Sequence, residues 1–216
     1  MPAYAESPLL EGERVLVVGA HPDDETIGAG RLVAQHRGPT SAVTLTWGES
    51  CVPGLPPGPM GDRRIAEWRT AIGHLGCVEK DAPRWPDGRL DEHEDEVAAV
   101  LSDLAHGFDV LLTTWRHDPH PDHEAAGRAA AAAAAAVGAR LVEFPVWAPY
   151  WTDDHLVGAL GYEVQRLRTS PPAERARQRA LATYVSQTRP LAPGIVEIVP
   201  QAMLERHPFQ IVMAPR

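Results

Sequence analysis

The sequence predicts one α/β domain over residues 1–216, a Rossmann-like three-layer sandwich with a mainly parallel β-sheet. Two observations support this prediction. Short apolar runs alternate with segments of helical periodicity, and a length of 216 residues suits a single domain of this class. The apolar fraction of 44% is ordinary for globular proteins and is sufficient for a hydrophobic core.

The expected strands are apolar segments that mostly end at glycine, threonine or tryptophan. Residues 14–20 and 109–114 are apolar runs, which is typical of strands buried on both faces of a sheet. The other strands are expected at residues 41–47, 140–147 and 162–169. In a parallel sheet the carboxyl ends of the strands meet at one edge, where such sheets bind their ligands.

The expected helices lie between these strands. The first ends near Arg37, before a Gly-Pro pair. Further helices are expected at residues 62–76, 92–106, 123–137 and 172–187. Residues 50–61 are rich in proline and glycine and are predicted to form a loop, while the last 25 or so residues have no clear pattern.

Composition and charge exclude several classes of partner. The formal net charge of -9 disfavours binding to nucleic acid, because an acidic chain gains nothing from counterion release. No apolar stretch is long enough to span a membrane. The N-terminal residues lack the features of a signal peptide, and Cys51 and Cys77 have no metal-type spacing. We therefore expect a cytoplasmic protein with free thiols, and a disulfide between them is the less favoured alternative.

The segment GAHPDDE, residues 19–25, directly follows the first expected strand. It places one imidazole and three carboxylates within five residues. Their mutual repulsion is costly unless a cation shares the site, so a metal site is one interpretation. A dinucleotide-binding loop is disfavoured, because Asp23, Asp24 and Glu25 would repel phosphate where that loop needs glycine.

Simpler interpretations of this segment stay open. One carboxylate, with Glu25 as the preferred candidate, could cap the following helix, whose N-terminus favours negative charge. Gly28 and Gly30 come too late for a phosphate loop, and we expect them to allow close packing of the helix on the sheet. Capping by itself explains one acid and leaves the others without a role.

A second cluster, HDPHPDHE at residues 117–124, follows the expected strand at residues 109–114. Pro121 suits the first turn of a helix, so His120 is expected to project from the loop and His123 to lie in that first turn. The helix dipole disfavours a protonated imidazole there, which leaves His123 able to bind a metal. Solvated histidines at a polar helix entry are the weaker alternative.

Taken together, GAHPDDE and the later HPDH resemble the paired motifs of the PIG-L/LmbE-like zinc-dependent N-acetylglucosaminyl deacetylase family. The resemblance extends to residues 64–76, to PDGRL at residues 86–90 and, more loosely, to residues 186–187. It therefore spans about residues 14–188. The paired motifs are specific, whereas the other similarities are weak individually.

The resemblance implies a metal-dependent hydrolase that removes the acetyl group from an N-acetylglucosamine-type sugar or glycoconjugate and releases acetate. Zn²⁺ would be the cofactor, with Fe²⁺ as the alternative in the cell. The implied metal ligands are His21, Asp24 and His123. A small-molecule amino sugar or glycoconjugate is the expected partner, and a homo-oligomer stays open.

The same resemblance implies catalytic roles for three residues. Asp23 would be the general base and His120 the acid or the group that stabilises the oxyanion. The nearby carboxylates would favour a protonated His120, and zinc the neutral form. Asp122 would orient His120.

Substrate contacts are implied for Arg64 and Asp87. A helix pair between Arg64 and Glu67, or a turn at Asp87-Gly88, would be the simpler explanation of these residues. Trp47 is a further candidate, because an aromatic ring suits the apolar face of a sugar and relatives often have an acid at this position. This difference affects the expected substrate rather than the reaction.

Trp115 and Trp147 also close expected strands, so they are candidates for the mouth of the site, with ordinary packing as the alternative. Two other functions stay open for the whole chain. One is a zinc amidase that cleaves another sugar-linked amide. The other is a non-catalytic metal-binding protein, which would bind zinc and tolerate the loss of Asp23.

Overall fold

A computed structural model of the protein describes residues 6–9, 11–52, 54–151, 154–191, 196–205 and 210–215. The described strands form one seven-stranded sheet in the order β3-β2-β1-β4-β5-β7-β6. They are β1 Val15–Gly19, β2 Thr40–Thr44, β3 Val78–Glu79, β4 Val110–Thr114, β5 Arg140–Phe144, β6 Tyr162–Leu167 and β7 Gln210–Pro215. The α/β class is confirmed, and each of the five expected strands is present.

The sheet is mixed rather than uniformly parallel. Strands β3, β2, β1, β4 and β5 are parallel to their neighbours. Strand β7 comes from the C-terminal segment that had no clear pattern, and it runs antiparallel to β5 on one side and to β6 on the other. The mainly parallel sheet is therefore confirmed for its first five strands, and the C-terminal segment adds the antiparallel part.

Helices cover both faces of this sheet. They are α1 Gly30–Gln35, α2 Pro57–Leu75, α3 Glu94–Ala105, α4 Pro121–Val137, α5 Ala148–Trp151, α6 Asp154–Ala159, α7 Pro171–Leu181, α8 Val185–Thr188 and α9 Gln201–Glu205. A π-helical turn at Glu25–Ala29 precedes α1, and a 3₁₀ turn at Leu90–His93 precedes α3. None of the described helices is long and apolar enough to cross a membrane.

Strand β1 shows why the fold has three layers. Val15 and Val17 belong to one apolar core with α2, while Leu16 and Val18 belong to a second core with α3 and α4. Alternate side chains of a strand point to opposite faces, so a continuous apolar run serves two cores. The burial of this strand on both faces is confirmed.

Two predicted boundaries were wrong. The helix expected at residues 62–76 begins at Pro57, because proline is tolerated in the first turn of a helix and the proline-rich segment therefore continues into α2. The helix expected at residues 172–187 ends at Leu181, and α8 follows after a turn. The predicted stop at Gly76 is confirmed by its left-handed φ of 82°.

Close packing at Gly28 is also confirmed. A Cβ atom at this position would lie 2.3 Å from a ring carbon of Phe144 on β5, so only glycine lets the π-helical turn approach the sheet this closely. The parallel pairing of β1 and β4 then places the segments that follow them at the same edge of the sheet. These segments carry the two histidine clusters.

Candidate active site

Three buried side chains from the two clusters converge at this edge. His21 Nδ1 lies 3.2 Å from His123 Nε2, His123 Nε2 lies 3.2 Å from Asp24 Oδ1, and His21 Nδ1 lies 3.6 Å from Asp24 Oδ2. A tetrahedral zinc site with ligands at about 2.0–2.1 Å places neighbouring donor atoms about 3.3 Å apart. The facing nitrogens of His21 and His123 have the spacing of neighbouring metal ligands, and Asp24 contacts each ring through a different oxygen, so the three residues form a His/Asp cluster able to bind a divalent metal.

His120 also faces this point. Its ring offers a nitrogen within 4.8 Å of nitrogens of His21 and His123, and the three rings form a compact group. His21 also offers a nitrogen within 4.8 Å of carboxylate oxygens of Asp87 and Asp122. The described structure thus surrounds His21 with nitrogen donors on one side and carboxylates on the other.

Asp118, which the sequence analysis did not single out, holds His123 in place. Its Oδ2 accepts a hydrogen bond of 2.7 Å from His123 Nδ1, and its two oxygens accept the backbone N–H groups of Trp147 and Ala148. Protonation of Nδ1 leaves the Nε2 lone pair of His123 facing His21 and Asp24. The position of Asp118 inside the HDPHPDHE cluster was the available signal for this role.

Asp122 supports a different histidine from the one expected. Its carboxylate lies 3.0 Å from His21 Nε2 and accepts the backbone N–H groups of Gly88 at 2.7 Å and Leu90 at 3.0 Å. The expectation that its side chain orients His120 is wrong, since only its backbone N–H contacts that ring, at 3.2 Å. Asp122 points into the domain because the Gly88–Leu90 segment supplies two donors there.

Asp23 and Arg64 form a buried ion pair beside the metal ligands. Arg64 donates to Asp23 Oδ2 at 3.1 Å and to the Gly48 carbonyl at 2.9 Å. The alternative of an Arg64–Glu67 helix pair is not what the structure shows, because Glu67 pairs with Arg63 at 3.2 Å. Arg64 is therefore directed to the site.

The backbone and charge of Asp23 are both perturbed. Its φ is 156°, a region that side chains other than glycine rarely adopt, so the loop stores strain at this residue. Burial raises the pKa of the Asp23 carboxyl from 3.8 to about 6, against the lowering effect of Arg64. A carboxylate with a pKa in this range can accept a proton near neutral pH.

His120 is the N-cap residue of α4, and its ring stacks on His123 with 4.6 Å between centroids. Burial lowers the pKa of His120 to about 4, and the charges of His123 and His21 add to this effect. This lowering favours a neutral His120 ring near neutral pH, whereas the carboxylates of Asp24 and Asp122 act in the opposite direction. Its Nδ1 accepts the Asp122 N–H, so the neutral ring carries its proton on Nε2 as a donor.

Asp87 lies within the site as well. Its Oδ1 is 3.2 Å from His21 Nε2, and its Oδ2 accepts the backbone N–H of Ser50 at 2.8 Å. The adjacent Gly88 has a left-handed φ of 82°, so the turn that the sequence allowed is also present. The turn and the contact with His21 are compatible, because the turn directs the Asp87 carboxylate inward.

Glu25 is buried beneath the site rather than used as a helix cap. Its carboxylate accepts hydrogen bonds from Tyr184 at 2.8 Å, Thr26 at 2.6 Å and Trp68 Nε1 at 3.1 Å. Burial raises the pKa of Glu25 to about 7. These bonds to α2 and to the segment before α8 anchor the GAHPDDE loop, a role that needed the tertiary structure to be seen.

A cavity of about 190 Å³ opens onto these groups. Its polar lining includes His21, Asp23, Asp24, Arg64, Asp87, His120 and His123, and its apolar lining includes Ile27, Val146, Trp147, Ile198, Val199 and Met203. A larger cavity of about 820 Å³ lies along α7, with residues of α8 and α9 also in its lining, and it has none of the expected site residues there. The smaller cavity is the one lined by the three expected metal ligands and by Asp23 and His120.

The three strand-end tryptophans have different environments. Trp147 lines the site cavity, in agreement with its expected place. Trp115 is fully buried against Tyr162, so its expected place at the mouth of the site was wrong. Trp47 is partly buried outside the described cavity lining, with the Arg84 guanidinium 4.5 Å from its ring.

Comparisons with known proteins find named deacetylases similar to this chain. The chain is 28% identical to a 1D-myo-inositol 2-acetamido-2-deoxy-α-D-glucopyranoside deacetylase from Nocardia farcinica, over 93% of this chain and 81% of that protein. It is 29% identical to the protein of that name from Mycolicibacterium smegmatis, over 66% of this chain. The matched region spans only 60% of the Mycolicibacterium protein.

A solved structure has the same fold. The A40926 pseudoaglycone deacetylase Dbv21 superposes with a TM-score of 0.72 at 20% identity, over 95% of this chain and 97% of that one. The family model described as PIG-L, GlcNAc-PI de-N-acetylase, matches residues 16–134, which include both histidine clusters. Because this match covers more than half of the sequence, the chain belongs to the PIG-L family.

Proposed function

We propose that this protein is a metal-dependent hydrolase that removes the acetyl group from an N-acetylglucosamine-type sugar or glycoconjugate and releases acetate. One observation carries the proposal: the convergence of His21, Asp24 and His123 beside the buried carboxylate of Asp23. The family and the names of the two curated relatives support the deacetylase assignment.

His21, Asp24 and His123 would hold the metal, which we propose to be Zn²⁺, with Fe²⁺ as the alternative in the cell. When bound, it supplies a Lewis acid for the amide carbonyl and for the attacking water. Two histidines and one carboxylate are a ligand set that leaves room for substrate. Asp118 and Asp122 fix the two imidazoles so that their free lone pairs face one point.

Asp23 is proposed as the general base. It is adjacent in sequence to Asp24, and Arg64 holds its carboxylate in the cavity. With a pKa of about 6, it is mostly ionised at neutral pH and can accept the proton of the attacking water. The same carboxyl can then return that proton to the leaving amine.

His120 is proposed to stabilise the oxyanion as a neutral donor. The carbonyl oxygen gains negative charge as the water attacks, and a donor placed for that charge lowers the barrier. The Nε2–H of His120 is available because Nδ1 already accepts the Asp122 N–H. Of the two roles that the resemblance implies for His120, catalytic acid and oxyanion stabiliser, we propose the second.

Arg64 and Asp87 are proposed to contact the sugar, since both line the cavity. Trp147 adds an aromatic surface in the same lining, and Trp47 stays a prediction as a substrate residue. We further propose a reducing, cytoplasmic location, supported by the two unpaired cysteines, Cys51 and Cys77. The formation of a homo-oligomer would be decided by light scattering of the purified protein.

The test is incubation of the zinc-loaded protein with a panel of N-acetylated amino sugars, with free amine and acetate measured by mass. Release of both from at least one amino sugar, and its loss in Asp23→Asn, is the expected result. Cleavage of a different amide class with no loss of acetyl would instead establish the amidase. Metal binding without hydrolysis of any amide would leave the non-catalytic metal-binding protein.

A further inference from the structure

The cavity of about 820 Å³ along α7 has no part in the proposed reaction. Its size is within the range of about 300–1,000 Å³ that small-molecule sites occupy. None of its described lining residues also lines the catalytic cavity. The charged side chains of its described lining are Arg31, Glu174, Arg177 and Arg189. Arginines thus outnumber acids in this lining, in a chain whose formal net charge is -9.

The positive charge of Arg177 is buried and only partly compensated. The residue is 3% exposed, and a buried charge is costly unless an opposite charge pairs with it. Its Nη1 lies 3.9 Å from Glu174 Oε1, which is too long for a hydrogen bond. The same carboxylate makes a closer ion pair with Arg31 through Oε2. Burial and the charge of Arg31 lower the pKa of Arg177 to about 10, although Glu174 acts in the opposite direction.

The Arg177 guanidinium also has hydrogen-bond donors without acceptors. Its Nε donates to the Thr26 carbonyl at 3.2 Å, and Nη1 and Nη2 each donate to the Leu204 carbonyl at 3.4 Å. These bonds use three of the five N–H groups of a guanidinium, so two N–H groups have no acceptor among the described residues. Leu204 and Glu174 both line the cavity, which places the two Nη atoms beside its wall. Buried donors without acceptors cost free energy, so they indicate an acceptor supplied by a ligand.

We propose that the cavity along α7 binds the phosphate group of a small molecule through Arg177 and Arg189. A guanidinium matches the geometry of a phosphate and donates two parallel hydrogen bonds to it. Arg189 is exposed and has no partner among the described residues, so its side chain can contact the same ligand. A phosphate monoester carries a charge of about -1.5 to -2 and three acceptor oxygens, so it can serve both arginines, whereas a carboxylate has a single charge. This site is separate from the proposed deacetylase function and does not depend on it.

The test is calorimetric titration of the purified protein with glycerol 3-phosphate, with acetate as the carboxylate for comparison. We expect one saturable site per chain for glycerol 3-phosphate and none of similar affinity for acetate. Kd should rise about 10-fold or more in Arg177→Gln, because a charged hydrogen-bond donor is lost, and about 3-fold or more in Arg189→Gln. Arg175→Gln is the matched control, since Arg175 is an exposed arginine of the same helix outside the described lining. It removes the same charge and should leave Kd unchanged.

A metal ion also attracts phosphate, so the titration is repeated in His21→Ala, which lacks a proposed metal ligand and should still bind. Loss of binding in His21→Ala alone would place the phosphate in the catalytic cavity and overturn the inference. Equal weakening in Arg175→Gln and Arg189→Gln, equal affinity for acetate, or no binding to wild type would overturn it as well. If Arg177→Gln does not fold, the exposed Arg189→Gln decides. Binding that depends on Arg189 in a protein without deacetylase activity would support this site and overturn only the proposed function.

Discussion

The Arg64 guanidinium donates a 3.1 Å hydrogen bond to the Asp23 carboxylate, and both side chains are buried at the edge of the sheet where the two histidine clusters meet. Arg64 comes from α2 and Asp23 from the loop after β1, so the pair joins two elements that are distant in sequence. Burial raises the pKa of Asp23 and Arg64 is the largest effect that lowers it; with the further effects of Asp24, His21 and His123 the pKa is about 6. A residue expected to bind substrate therefore also sets the charge of the proposed base.

Substitution of Arg64 by methionine should move the acidic limb of the pH–rate profile to higher pH. Wild-type activity should fall as the pH drops through about 6, because Asp23 becomes protonated and can no longer act as a base. Without the nearby cation, burial raises the Asp23 pKa further and the same loss begins at higher pH. The measurement is kcat/KM from pH 5 to 8, with Arg64→Lys as the control that keeps a positive charge. An acidic limb that stays in place in Arg64→Met would contradict the coupling.

One divalent metal per chain should be bound, and His21→Ala, Asp24→Ala and His123→Ala should each lose it. Each substitution removes one donor atom from a set whose members lie within 3.2–3.6 Å of one another. Elemental analysis of the purified variants measures the metal. Full retention in both Asp24→Ala and His123→Ala would show that other residues hold it.

Asp23→Asn and Asp24→Asn should differ in their effects although the residues are adjacent. Asp24→Asn should weaken metal binding, because a ligand loses its charge. Asp23→Asn should keep the metal and lower the rate by about 10²–10⁴, the usual contribution of a general base. Metal titration and single-substrate kinetics on both variants make the comparison. Equal metal loss would mean that the assignment of base and ligand is incorrect.

Asp118→Asn should weaken metal binding by about 10- to 100-fold, although Asp118 is not a ligand. The neutral amide is a poorer acceptor for His123 Nδ1–H, so the imidazole is less firmly held with its lone pair toward the metal. A competitive chelator titration gives the affinity. Glu143→Gln is a matched control, since Glu143 is a buried acid at the same sheet edge that pairs with Arg116 instead of a histidine. Equal losses in both variants would indicate general destabilisation.

His120→Ala should keep the metal and lower kcat by about 10²–10³ with little change in KM, as expected for a donor used mainly in the transition state. Because the pKa of His120 is lowered to about 4, its ring is neutral throughout a pH–rate profile measured around neutral pH. Any fall in wild-type activity above neutral pH should therefore be unchanged by the substitution. Its disappearance would show that His120 acts as a protonated acid, and a metal-free variant would make His120 a ligand.

Much of the fold followed from local pattern. The apolar runs identified the strands β1, β2, β4, β5 and β6 and missed the two-residue β3. Burial on one or both faces imposes a hydrophobic pattern on a strand, and this pattern is visible in the sequence. The two histidine clusters were recognisable for a similar reason: each packs its chemistry into a few consecutive residues. The sequence also predicted that the two clusters lie close together, since the carboxyl ends of parallel strands lie at one edge of the sheet.

Contacts between distant residues were decided only by the tertiary structure. The sequence predicted that Asp122 orients His120. In the structure the Asp122 carboxylate contacts His21 instead, because the backbone N–H groups of Gly88 and Leu90 donate to it on that side. No local pattern predicted that β7 would insert between β5 and β6, since its partners lie far away along the chain. The sequence by itself determined which residues carry the chemistry. The tertiary structure decided which atoms of these residues contact each other, because burial and hydrogen bonding depend on neighbours that sequence order does not specify.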